Sequence, residues 1–194
     1  MLTFVLATAN PHKAEEMRSL LASFDVTVLE RPAGIADVDE TEDTLEGNAL
    51  LKARALAAAT GLPAVADDTG LFVNALGGRP GVWSARYAGE GATYTQNVAK
   101  LLDEMHGVVD EDRGASFRTV IAVAYPDGQE LCVEGELRGS IAREARGAGG
   151  FGYDPVFVVE DDGRTLAEMS ANEKNELSHR ARALRALAIA LDPR

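Results

Sequence analysis

Leu2-Thr3-Phe4-Val5-Leu6-Ala7, followed at once by Thr8-Ala9-Asn10-Pro11-His12-Lys13, opens the chain as strand, short turn and helix. The first six residues form the apolar run of a buried strand. Asn10 suits an N-cap and Pro11 the first helical position. Such a turn offers backbone N–H groups and the positive end of a helix dipole to an anion. Lys13 adds a full charge in the first helical turn, and Thr8 adds a hydroxyl. The phosphate-loop pattern G-x-x-x-x-G-K-[ST] is absent. Alone, the segment reads as an ordinary capped helix with a solvated lysine.

Working outward, Val26 to Leu29 reads as a second strand, and the acidic stretch Asp37 to Asp43 as a loop. Asp43 with Glu46 makes a capping-box pattern for a helix running to about Thr60, stopped by Gly61. Pro63-Ala64-Val65 is a short apolar run. Thr93 with Gln96 repeats the capping pattern for a helix that ends before Gly107. Ser116 to Tyr125 and Glu130 to Leu137 read as strands joined by a hairpin turn at Pro126-Asp127-Gly128. Pro155 to Val159 is another short strand. Leu177, Ala181, Leu184, Ala188 and Leu191 recur at helical spacing as a core stripe on the last helix. The order β-α-β-α-β, then helix, hairpin, strand and helix, predicts a mixed sheet flanked by helices.

A chain of 194 residues is one domain by length, spanning 1–194, or two lobes sharing a core. It can bury roughly 70% of its unfolded surface. Hydrophobic content of 46% and charged content of 26% are those of an ordinary globule. No apolar run reaches the length of a membrane span, and no signal-peptide pattern is read. The single Cys132 excludes an internal disulfide and reads as a buried thiol, so the expected home is a reducing cytoplasm. The formal net charge is −12, with 31 acidic and 19 basic residues. That balance argues against nucleic acid or an anionic membrane as partner. A polyphosphate ligand would need a local cationic site and a divalent metal, with Lys13, Lys52, Lys174 and Arg180 as the candidate cations.

Three further segments carry chemistry. Ala66-Asp67-Asp68-Thr69-Gly70 reads as two carboxylates at the end of a buried strand. Buried carboxylates need partners, and on a strand they point to opposite faces, so one can meet a metal while the other braces the loop. A polar Asp-Thr-Gly turn is the plainer reading. Gly147-Ala148-Gly149-Gly150 precedes Phe151-Gly152-Tyr153-Asp154, where glycines permit close approach of the backbone to a ligand. Phe151 and Tyr153 can stack on a base, and Asp154 can accept hydrogen bonds from a base edge. The alternative is a tight turn whose aromatics fill a core. Lys174 and Ser178-His179-Arg180 add cationic groups at the head of the last helix. On a straight helix Lys174, His179 and Arg180 fall on different sides, so a shared ligand requires a break near Ser178.

In combination these segments resemble the inosine triphosphate pyrophosphatase family, which hydrolyses non-standard purine nucleoside triphosphates. The matching residues are Thr8-Ala9-Asn10 with Lys13, Asn48-Ala49 with Lys52-Ala53-Arg54, and Ala66 to Leu71. Gly77-Gly78 with Pro80-Gly81, Ser84 to Tyr87, Gly149 to Pro155, and Glu173-Lys174 with Ser178-His179-Arg180 complete the set. They span nearly the whole chain. Thr69 stands where many members have serine, and Trp83 where a smaller aromatic is common.

The resemblance implies an elongated α/β fold of two lobes around a mixed sheet, an active site in the cleft between them, and a homodimer. It implies hydrolysis of inosine, deoxyinosine or xanthosine triphosphate to the monophosphate and pyrophosphate, with Mg2+ as the metal. Asp68 is then the catalytic carboxylate and a metal ligand. Glu40 is the second metal ligand, with Asp39, Glu42 and Asp43 as close rivals. Substrate binding falls to Thr8, Ala9, Asn10, Pro11, His12, Lys13, Lys52, Thr69, Phe151, Gly152, Tyr153, Asp154, Lys174, His179 and Arg180. Of these, Lys13, Lys52 and Lys174 are expected on the phosphates, Phe151 and Asp154 on the base, and the backbone near Tyr153 with His179-Arg180 on its 6-oxo group. A nucleotide sensor without turnover and a general nucleotide phosphatase are the competing readings.

Overall fold

The structure, a computed structural model, describes residues 2–8, 10–22 and 26–191. In chain order the elements are β1 (Leu2–Leu6), α1 (Pro11–Leu21), β2 (Val26–Leu29), α2 (Leu45–Thr60), β3 (Ala64–Val73) and β4 (Pro80–Gly81). Then come α3 (Tyr94–Glu104), β5 (Gly114–Ala124), β6 (Glu130–Ile141), β7 (Phe157–Val159), α4 (Ala171–Leu177) and α5 (His179–Leu191). The seven strands join in one sheet, in the order β2-β1-β3-β5-β6-β7 with β4 on β3. The sheet is mixed: β1 runs parallel to β2 and β3, whereas β3 with β4 and β6 with β7 are antiparallel. The α/β class read from the sequence is the observed one.

The chain divides into two compact units. The first comprises residues 1–68, 119–135 and 180–194. Its core joins Phe4 and Leu6 of β1, Val65 of β3, and Ile121 and Val123 of β5 to Met17 and Leu21 of α1 and Leu184 and Leu187 of α5. These are the apolar faces of the helices, packed on the sheet residues at van der Waals contact. The second unit comprises residues 69–118 and 136–179. Its core includes Leu71, Leu101, Met105, Phe117, Leu137, Tyr153, Phe157 and Leu166.

Local sequence explains most element ends. Asn10 accepts hydrogen bonds through its side chain from the His12 and Lys13 N–H groups, with Pro11 opening the helix. The cap of α2 is Thr44, one residue after the expected Asp43: extended backbone at Thr44 brings its hydroxyl to the Gly47 N–H. Gly61, at φ 66°, closes α2 in the left-handed conformation. Ser178 interrupts the C-terminal helix with φ −61° and ψ 157°, so α4 and α5 are separate. The break near Ser178 that a ligand shared by Lys174, His179 and Arg180 would require is present. Leu177 consequently packs in the second unit's core, and Leu184 in the first unit's.

Two expectations fail. Asp67-Asp68 do not end a strand, because β3 runs on through Thr69-Gly70 to Val73 and pairs Leu71 and Phe72 with β4. Cys132 is half-buried rather than buried. Among the described residues, no helix is long and apolar enough to cross a membrane.

Candidate functional site

In the first unit, β3 presents Asp67 and Asp68 to opposite sides, as strand alternation demands. Both are buried, at 2% and 4% exposed. Lys13, from the first turn of α1, places Nζ 3.2 Å from Asp67 Oδ2. Arg180, from the first turn of α5, reaches the same oxygen with Nη2 at 3.3 Å and Nε at 3.4 Å. The Nη1 group of Arg180 also donates to Glu16 Oε2. Burial pushes the Asp67 carboxyl up, but Lys13, Arg180 and Lys52 outweigh it and hold the group well below the usual carboxylate range.

On the other side of the strand, Lys52 of α2 lies 2.7 Å from Glu40 Oε1 and 3.3 Å from Asp68 Oδ1. Burial pushes the Lys52 ammonium down, and Asp68, Asp67 and Glu40 reverse this, so it is held above its ordinary value. Asp68 shifts upward: burial raises it, Lys52 and Lys13 oppose, and the Glu40 and Asp67 charges raise it further. Its second oxygen, Oδ2, is buried without a hydrogen-bond partner among the described residues. The acidic loop that carries Glu40 is pinned by buried Asn48. Its side chain accepts from the Glu42 N–H and donates to the Glu42 carbonyl.

This cluster sets Glu16, Glu40, Asp67 and Asp68 against Lys13, Lys52 and Arg180, and each cation already has a carboxylate. By itself it is not a positive cradle for a polyphosphate, and an added divalent cation would supply the missing charge. Among the described residues no group of three or more His, Cys, Asp or Glu could hold a metal ion alone. Two carboxylates, one with an unused buried oxygen, nevertheless match a hard cation that takes its remaining ligands from water and phosphate. The residues therefore fit a hard divalent cation.

Around Lys13, Thr8 accepts from the Asn10 N–H and Asn10 accepts from those of His12 and Lys13. The side-chain cap thus occupies N–H groups that the sequence reading offered to an anion. Pro11 and His12 are exposed. Ala9 lies outside the described residues.

In the second unit, the loop before β7 is organised around Asp154. Asp154 Oδ2 accepts from the Phe151 N–H at 2.8 Å and from Lys174 Nζ at 2.7 Å. Gly150, at φ 70°, makes room for this carboxylate, since a Cβ there would lie 2.0 Å from Oδ2. The Lys174 ammonium also stands 4.7 Å from the Phe151 ring centroid, within cation–π range. Phe151 and Gly152 are half-buried, and Tyr94 lies 6.0 Å from Phe151. His179 is buried, its ring stacked on Phe117 at 4.7 Å. Thr69, on β3, is half-buried.

Three of these residues have partners within the chain that the sequence reading did not name. Tyr153 does not present a stacking face: it lies in the core, with its hydroxyl donating to the Ser84 carbonyl at 2.9 Å. Lys174, expected on the phosphates, is paired with the base-loop carboxylate, because an ammonium buried to 6% exposure needs an anion. Arg180, expected on the base, is fully buried against Asp67 and Glu16. Sequence reasoning missed Glu16, whose only local signal is its position one turn after Lys13 on α1. It also missed the role of Ser84. The Ser84 hydroxyl donates to the Gly81 carbonyl and accepts from the Leu71 N–H, tying the loop to β3.

Known proteins match nearly the whole chain. The profile of the Ham1 family matches residues 4–190. A Bacillus licheniformis protein named dITP/XTP pyrophosphatase is 45% identical over 194 residues, covering 99% of both chains. A protein of the same name from Symbiobacterium thermophilum is 52% identical over 180 residues, covering 93% of this chain and 90% of its own. The solved structure of a HAM1 protein from Coxiella burnetii superposes with a TM-score of 0.90 at 44% identity, covering 98% of both chains.

Proposed function

The chain belongs to the Ham1 family, and on that premise we propose that it hydrolyses noncanonical purine nucleoside triphosphates. The products are the nucleoside monophosphate and pyrophosphate. The observation that carries the reading is the Glu40-Lys52-Asp68 arrangement: a half-buried ammonium held by two carboxylates, one with an unused buried oxygen. A nucleotide sensor has no need of such a buried acceptor.

In this reading Lys13 and Lys52 bind phosphoryl oxygens and orient the triphosphate. Asp68 holds the attacking water and accepts its proton. The new bond forms between the water oxygen and the α-phosphorus, the bond from that phosphorus to the bridging oxygen of the β-phosphate breaks, and pyrophosphate departs. The upward shift of the Asp68 carboxyl moves it toward the range of a general base. Glu40 and Asp68 would hold Mg2+, which supplies neutralisation of charge building on the phosphoryl oxygens. Lys13 and Arg180 keep Asp67 ionised, and Glu16 holds Arg180 in place.

Phe151 offers its ring to the purine, and Lys174 offers donors to the 6-oxo group. An ammonium has only donors, so the amino group of adenine would leave donor facing donor, a strong basis for rejection. We propose the cytoplasm and a homodimer as its setting, in line with the family resemblance. A panel of nucleoside triphosphates assayed with Mg2+ tests the reading. Pyrophosphate from inosine and xanthosine triphosphates, abolished by chelation, supports it; orthophosphate as first product, or binding without turnover, contradicts it.

A further inference from the structure

We propose that a cavity formed wholly within the unit of residues 69–118 and 136–179 binds a small phosphate-class oxyanion. The cavity measures about 390 Å³ and its walls include Arg113, Arg143, Arg146, Asp110, Ser140 and Glu144. Arg113, just before β5, is 4% exposed. Its Nε donates to the Ile141 carbonyl at 2.6 Å, Nη1 to those of Met105 and Val108 at 3.0 and 3.3 Å, and Nη2 to that of Ala142 at 2.8 Å. These bonds tie the end of α3 to the end of β6, which gives Arg113 a structural role.

That role leaves the charge unexplained. Among the described residues no carboxylate pairs with Arg113, although burying a guanidinium without an anion is unfavourable. The acid beside it, Asp110, is taken by Arg143, with Nη2 at 2.7 Å and Nε at 3.0 Å. Carbonyls at the end of α3 offset part of the charge. A guanidinium has five N–H donors, and the four carbonyl bonds leave one on Nη2. Among the described residues, Arg146 holds only a distant carboxylate, Glu168 at 3.9 Å, and a 3.3 Å bond to the Gly163 carbonyl. Three arginines therefore face two acids across this cavity, in a chain whose net charge is −12. Several guanidinium groups lining one cavity suit an anion with several oxygens, which phosphate and pyrophosphate provide. The inference does not depend on the proposed activity.

The test is NMR titration of the intact protein with sodium orthophosphate and, separately, sodium pyrophosphate, following the backbone amides of Arg143 and Glu144. Arg143 and Arg146 are 61% and 42% exposed, so the variant Arg143→Gln with Arg146→Gln should keep the fold. The proposal expects saturable shifts that weaken by about tenfold or more in that variant, the size of one lost charge-assisted hydrogen bond. Tighter binding in the pyrophosphate arm assigns the site to the diphosphate; equal affinities assign it to a single phosphoryl group. Shifts reproduced by sodium chloride at matched ionic strength, no saturation with either anion, or an unchanged affinity in the double variant would overturn it.

Discussion

Arg180 and Asp67, 113 positions apart in the chain, form a fully buried ion pair, with Nη2 3.3 Å from Oδ2. Removing one partner of such a pair strands the other charge. Arg180→Ala should therefore lower stability by about 3–5 kcal/mol. Lys13 remains on Asp67, so the lower end is expected. Combining Arg180→Met with Asp67→Asn should recover much of the loss. Denaturant unfolding of both variants checks this, and a loss below about 1 kcal/mol, the scale of an exposed pair, would show the bridge to be dispensable.

Lys174 and Lys13 should separate in their effects. Lys174→Met removes the cation over Phe151 and on Asp154. It should reduce the preference for inosine over adenosine triphosphate, measured as a ratio of kcat/KM, by about tenfold or more. Lys13→Met should raise KM for both nucleotides and leave the ratio unchanged. Equal losses of the ratio in the two variants would defeat the division of labour.

Gly150 faces a carboxylate at contact distance. Gly150→Ala sets a Cβ 2.0 Å from Asp154 Oδ2 on backbone at φ 70°. The expected loss of stability is about 1–3 kcal/mol, together with a higher KM. Gly152→Ala, also at positive φ but with no atom near its Cβ, should be milder. Comparing their thermal midpoints decides between crowding and backbone strain alone.

The acid limb of stability contains a contribution from Glu173. Its carboxylate accepts from the Ser170 N–H and hydroxyl and pairs with Arg164, which brings its pKa down to about 2. The folded value lies below the ordinary 4.5, so this stabilisation is complete above that pH and is lost as pH falls toward 2. The difference in Tm between wild type and Glu173→Gln should be constant above pH 6 and vanish at acid pH. A difference independent of pH would assign the effect to shape rather than charge.

What could be read in the sequence was what local chemistry fixes. Asn10-Pro11 set the start of α1 through bonds two and three residues away. The break at Ser178 was legible only on the premise that Lys174, His179 and Arg180 share one ligand, together with a residue suited to N-capping. Thr44 displaced Asp43 as cap by one residue, because either side chain satisfies the same pattern. Thr69-Gly70 looked like a turn, but pairing of Leu71 and Phe72 with β4 keeps them in the strand. Tyr153 in a glycine-rich loop gave no local sign of its partner Ser84, 69 positions away. The ion-pair partners of Arg180 and Lys174 were not legible for the same reason, since each is a carboxylate distant in the chain.

The central claim is that Asp68 drives pyrophosphate release. Its most direct test is a 31P NMR time course of inosine triphosphate with Mg2+, run with wild type and with Asp68→Asn. Wild type should yield inosine monophosphate and pyrophosphate together, and Asp68→Asn should fold normally and turn over at least about 10²-fold more slowly, the scale of a lost general base. Orthophosphate appearing first, or near-normal turnover in Asp68→Asn, would contradict the account.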